Sequence, residues 1–158
     1  MDYHKTAPFA GDKEKALEMA KTVFMNNNFR LEQSGAGKIT ARGTSFYDNQ
    51  KNPLRGVSYV EVRAEAGQIQ LSAELGGIRR LRNFMLIFPF GLALTLSILF
   101  FFLDMPGPAA GVPWFAVAPW LILAPLFSVF FRRRTIGALD NLLHNISLAE
   151  SSQYGRRP

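Results

Sequence analysis

Cysteine is absent from this chain of 158 residues, and histidine is nearly so, with only His4 and His144. Without thiols there is no disulfide, no thiolate metal site and no cysteine nucleophile, which fits a reducing compartment. Two histidines so far apart in sequence offer no paired metal ligands and no evident base for a nucleophilic serine. A third scarcity is local. Residues 84–103 (FMLIFPFGLALTLSILFFFL) and 113–131 (PWFAVAPWLILAPLFSVFF) contain no Asp, Glu, Lys, Arg, His, Asn or Gln. An ion or proton pathway generally needs such groups at membrane depth, so a pore built from these runs alone would be hydrophobic and poorly selective.

What these runs do have is length. At about 1.5 Å per residue, a helix over residues 84–103 covers the roughly 30 Å hydrocarbon layer of a bilayer, and the second run is only slightly shorter. Helices buried in a soluble core usually keep a polar stripe and seldom run past about 14 uninterrupted apolar residues. Both runs are therefore expected to span a membrane. The first begins at Phe84, too deep in the chain for a cleaved signal peptide.

Flanking charge sets the orientation. Arg79, Arg80 and Arg82 precede the first run and Arg132, Arg133 and Arg134 follow the second, while the link over 104–112 (DMPGPAAGV) carries one acid and no base. Arginine near a span resists translocation, so both flanks should be cytoplasmic, making an N-in, C-in hairpin of the inner (cytoplasmic) membrane. The chain holds 18 Lys and Arg against 12 Asp and Glu, a net charge of +6 that these six arginines equal by themselves. The basic excess thus lies where anionic headgroups would be, which argues for lipid and against nucleic acid as its partner. Trp114 is expected to join the arginines as an interface anchor.

The remaining residues read as an α+β cytoplasmic domain over 12–77. Residues 1–11 show no periodicity and are expected to be a flexible lead-in, with Tyr3 and Phe9 able to pack on the domain. Asp12 is a plausible N-cap for a helix whose Ala16, Leu17, Ala20, Val23 and Phe24 form one apolar stripe, and Asn26, Asn27 and Asn28 end it. The period then changes to two. Strands are expected over 29–34 and 38–47, joined at Gly35-Ala36-Gly37, and over 57–64 and 68–75, joined at Glu65-Ala66-Gly67. One helix packed on a four-stranded antiparallel sheet follows, with a second sheet face of mixed polarity carrying Tyr59, Glu61, Arg63, Ser72 and Glu74. A single helix over four strands leaves burial to be supplied by self-association or by the membrane-proximal helices.

Gly76-Gly77 reads as the joint to an all-α transmembrane hairpin over 78–134. Pro89 in the first span and Pro119 and Pro125 in the second are candidate helix kinks, since an interior proline frees a carbonyl one turn back. Ala93 with Ser97 and Ala124 with Ser128 have spacing that permits close helix packing, as do Gly91 and Thr95. Beyond the arginines, Ile136, Leu139, Leu143 and Ile146 are spaced 3, 4, 3. This predicts a C-terminal amphipathic helix over 135–150, followed by a disordered tail over 151–158. Its apolar face could join protomers or cover the same chain's domain.

Motifs for chemistry fall short. Gly35-Ala36-Gly37-Lys38 resembles the end of a phosphate-binding loop, but Glu32 stands where that pattern needs glycine, Ile39 where it needs Ser or Thr, and it joins two strands. Glu61, Glu65 and Glu74 could meet across strands, although alternating Glu and Arg is usually a solvated face. The expectation is a non-enzymatic membrane protein, without cofactor or metal, acting as a self-assembling scaffold or accessory subunit of a protein partner. A homo-oligomeric channel lined by the second span and a membrane-tethered sensor of a small ligand are the alternatives.

Overall fold

Asp12 starts the first helix as a carboxylate cap, accepting the Glu14 N–H at 2.9 Å, and helix α1 then runs Lys13–Asn26. Asn28, at φ 60°, ends it. The N–H groups of Asn28 and Phe29 return to the carbonyls of Met25 and Phe24, and the Phe24 and Phe29 rings meet at 5.6 Å between centroids. That is a Schellman end with its apolar clasp, made possible by an asparagine that tolerates left-handed backbone. In the computed structural model, which describes residues 2–35, 37–43, 52–65, 67–105 and 107–148, Ala16, Ala20 and Phe24 on this helix are buried.

Among the described residues the sheet has five strands, one more than expected. β1 is Tyr3–Pro8, β2 Arg30–Gly35, β3 Lys38–Arg42, β4 Tyr59–Glu65 and β5 Gln68–Glu74, in the spatial order β1-β5-β4-β3-β2 and antiparallel throughout. The additional strand is the segment expected to be a flexible lead-in. Tyr3 pairs with Ala73, Lys5 with Leu71 and Ala7 with Ile69, so this strand closes the edge of β5. Tyr3 and Phe9 are both buried. Asp2 extends the attachment, its N–H donating to Ala73 and its carboxylate accepting the Leu75 N–H at 2.8 Å. The stretch over 44–47, expected to continue the second strand of the first hairpin, lies outside the described residues, as does the tail over 151–158.

Period two sorts the sheet into two faces. Ile39, Ala41, Val60, Val62, Ile69, Leu71 and Ala73 point inward and are almost wholly buried. Helix α1 packs across β2, β3 and β4.

The other two helices are long. α2 runs Gly76–Phe102 and α3 runs Gly107–Leu148, so the expected second span and C-terminal helix are one uninterrupted helix. Nothing between Phe131 and Ile136 breaks a helix, and three arginines with a threonine simply continue it. α2 ends at Asp104, φ 52°, where the N–H groups of Asp104 and Met105 return to Phe101 and Phe100 in a second Schellman end. Both helices are long and apolar enough to cross a membrane, and only 11% of each apolar window is buried. Core helices of a globular domain are mostly buried.

The chain divides into two compact units, one of Met1–Ile78 with Arg132–Pro158 and one of Arg79–Phe131. In the first, the last turns of α3 supply a second helical cover for the sheet. Leu139, Leu142, Leu143 and Ile146 are buried. Asp140 on the same stretch accepts from the Tyr3 hydroxyl and from Lys5 Nζ, each at 2.7 Å. In the second unit, the buried side chains of the spans are Pro89, Ala93, Pro113, Val117 and Ala124, and the Trp114 indole N–H donates to Ser97 Oγ at 3.0 Å.

Candidate functional site

The outward face of the sheet carries the polar groups, and strand register decides which of them meet. Glu61 lies opposite Ser72, Arg63 opposite Gln70, and on the next strand His4 lies opposite Ser72 and Thr6 opposite Gln70. On the other side of β4, Lys38 lies opposite Arg63 and Thr40 opposite Glu61. Neighbouring strands stand about 4.8 Å apart, so side chains in one row reach each other directly.

Glu61 is the centre of this face. It is buried, yet its carboxylate takes Arg63 Nε, Lys38 Nζ at 3.1 Å and the Tyr59 hydroxyl at 3.3 Å. Burial alone would raise its pKa, but hydrogen bonds and charge from Lys38 and Arg63 outweigh burial and hold it below the ordinary value. A carboxylate so well supplied with donors stays ionised. Tyr59 moves the other way, raised first by burial and then by the Glu61 charge. Two cations share one anion here. The Arg42–Glu32 pair at 2.8 Å, toward the other edge, is balanced.

Beside Glu61 lies a shallow groove lined by His4, Glu61, Arg63, Gln70 and Ser72. His4 Nδ1 and Ser72 Oγ are 2.8 Å apart. Sequence reasoning set His4 aside as part of a loose terminus and so missed this pair. The signal that could have found it is the alternation Tyr3, Lys5, Ala7, Phe9, which is a strand pattern once Lys5 is allowed an inward partner.

The residues singled out from sequence distribute as follows. Glu61, Glu65 and Glu74 do not meet, because Glu65 lies opposite Gln68 and Glu74 opposite Tyr59. Lys38, from the phosphate-loop-like Gly35-Ala36-Gly37-Lys38, turns to Glu61, and its segment is a strand. Arg79, Arg80, Arg82, Arg132, Arg133 and Arg134 are all exposed along the helices. Trp114 is tied into the hairpin through Ser97. Pro89 lies on the hairpin's buried side, Pro119 and Pro125 on its exposed side, and α2 and α3 run through all three. Of the small pairs, Ala93 and Ala124 are buried, whereas Gly91 and Thr95 are exposed and Thr95 Oγ1 bonds back to the Gly91 carbonyl. The proposed assembly face is occupied within the chain. Leu139, Leu143 and Ile146 are buried in the first unit and Ile136 is partly exposed, so of the two expected roles the tail covers its own domain.

Among the described residues no three His, Cys, Asp or Glu side chains are grouped to hold a metal. No family model, curated protein or solved structure matches this chain.

Proposed function

We propose that this is an integral protein of the cytoplasmic membrane, with both ends of the chain and the α+β domain in the cytoplasm, that serves as a scaffold or accessory subunit. The observation that carries this reading is the asymmetry of the sheet. Its inner face is closed within the chain by two helices, while β1 and β2 stand at the two sheet edges with no further strand paired to either among the described residues, and of these β1 is tied to the tail through Lys5 and Asp140. An unpaired edge is a surface for a second strand, and the tail's leucines, being buried, are not available. The membrane part of the reading is supported by α2 and α3, and its orientation by the arginines that flank the apolar runs.

The absence of cysteine makes the test direct. A single cysteine introduced as Ala110→Cys should react with a membrane-impermeant maleimide from outside intact cells, and Ser151→Cys should react only after lysis. The reverse pattern would sink the orientation. Gln33→Cys, exposed on β2, tests the contact. Disulfide-linked dimers in mild detergent indicate self-assembly through this edge, and cross-links to another protein indicate an accessory role. A strictly monomeric particle with no cross-link to anything would end the scaffold reading.

A further inference from the structure

At the opposite end of the sheet from β2, the groove across β1, β5 and β4 gathers donors that the fold leaves unspent. Arg63 gives Nε to Glu61, which fixes the guanidinium plane, and among the described residues its side chain has no partner besides Glu61. The Gln70 amide, directly opposite on β5, has no hydrogen-bond partner among them. The His4–Ser72 pair keeps a donor in either tautomer. If Nδ1 carries the proton it donates to Ser72 Oγ and the hydroxyl hydrogen is free. If Nε2 carries it, the hydroxyl donates to Nδ1 and Nε2–H is free. Glu61, the acid lining the groove, is already matched by Arg63 within it and by Lys38 beside it.

Arg63, Gln70 and the His4–Ser72 pair stand on three adjacent strands, about 4.8 Å apart, and line one groove. A planar carboxylate would satisfy Arg63 alone through its two oxygens, whereas a tetrahedral oxyanion presents oxygens to Arg63, Gln70 and the His4–Ser72 pair together. We propose that the groove formed by Arg63, Gln70, His4 and Ser72 binds a phosphate group, either as free phosphate or a soluble phosphate monoester or as a lipid headgroup. Glu61 is a positioning residue in this site. It holds Arg63 outward and does not touch the ligand.

Equilibrium dialysis of the full-length protein in mild detergent against radiolabelled inorganic phosphate, at constant ionic strength, tests this. One saturable site per chain is expected. Arg63→Gln should weaken it about tenfold or more, because a charge-assisted donor is lost, and Gln70→Ala several-fold without touching the Glu61 network. Arg42→Gln, which removes a cation outside the groove, should leave binding unchanged. Repeating the titration in phosphatidylcholine nanodiscs with and without phosphatidic acid separates the sources. Loss of phosphate binding when phosphatidic acid is present identifies the headgroup, and undiminished binding identifies the soluble form. No saturable binding, equal binding by wild type and by both groove variants, or a loss in Arg42→Gln as large as in Arg63→Gln, would each overturn the proposal.

Discussion

The two halves of α3 are one helix with opposite habits. In residues 107–131 the large apolar side chains are exposed, Phe115 at 83% and Ile122 at 65%, whereas in residues 132–148 Leu139 and Ile146 are 0% exposed. Helix propensity does not distinguish these halves. The first is apolar all round and finds no protein surface to cover it beyond its partner α2, so it calls for an apolar surrounding. The second is apolar on one stripe and finds the sheet. Continuity of backbone hydrogen bonding therefore says nothing about environment, and the distribution of polar residues around the axis says nearly everything.

The sharpest way to break this comparison is to place charge on the buried stripe. Leu139→Asp with Leu143→Asp puts two carboxylates among apolar side chains, where truncation of a single leucine already costs about 2–5 kcal/mol. Residues 132–148 should then lose hydrogen-exchange protection while the segment before them keeps it. Retained protection throughout would mean the tail needs no docking to be helical.

Next in size is the joint at the start of α2. Gly77 donates its N–H to the Gly56 carbonyl at 3.1 Å, and a Cβ at Gly77 would lie 2.9 Å from Gly56 Cα and 3.0 Å from its oxygen. Because both obstacles are backbone, Gly77→Ala should destabilise the domain by about 1–3 kcal/mol, read as a lower thermal midpoint. Smaller again is Thr135→Val, since the buried Thr135 hydroxyl donates to the Arg55 carbonyl at 2.9 Å and one such bond contributes about 1 kcal/mol.

Acid should act on the tail more gently. The Asp140 pKa is lowered, first by the hydrogen bond from Lys5 and then by that from Tyr3. Its contribution is thus complete above the ordinary carboxylate value of 3.8 and is lost as pH falls through the lower folded value. Both Lys5 and Asp140 are more than a third exposed, at 53% and 37%, so solvent screens the pair and the loss is small. Below about pH 4, the tail's protection relative to intrinsic exchange should fall in wild type, and Asp140→Asn should show no such step in that range. Tyr3 belongs to the same contact, its hydroxyl pushed well up by burial and by Asp140, so it stays protonated throughout. Least of all is Ile122→Ala on the exposed half of α3, which should leave domain stability within about 0.5 kcal/mol of wild type. A large loss there would mean that the two halves are not independent.

Much of the fold was legible because it is local. Asp12 as a cap, Asn28 as a left-handed stop, the two-residue alternation of Val60, Val62 and Ala64, and the charge-free runs all act within a few residues of themselves. β1 was not legible, because its inward Lys5 looks wrong for a half-buried strand until Asp140 is placed beside it, and that partner is 135 residues away. The same distance hid the candidate groove. His4 and Ser72 are separated by 68 residues and meet only because β1 adds to the edge of β5.

The sequence by itself determined that two long segments are apolar without interruption, where the basic residues flank them, and that the polar portion is one of short alternating strands beside an amphipathic helix. These follow from side-chain period and from the cost of burying charge, which operate along the chain. Tertiary structure alone decided that the N-terminal segment is an edge strand, that the tail stripe of Leu139, Leu143 and Ile146 covers this chain's own sheet, and that Arg63, Gln70, Ser72 and His4 share one groove. Each depends on which distant surface offers a complementary stripe or an open edge, and pairing between segments far apart in sequence leaves no periodic trace in either of them.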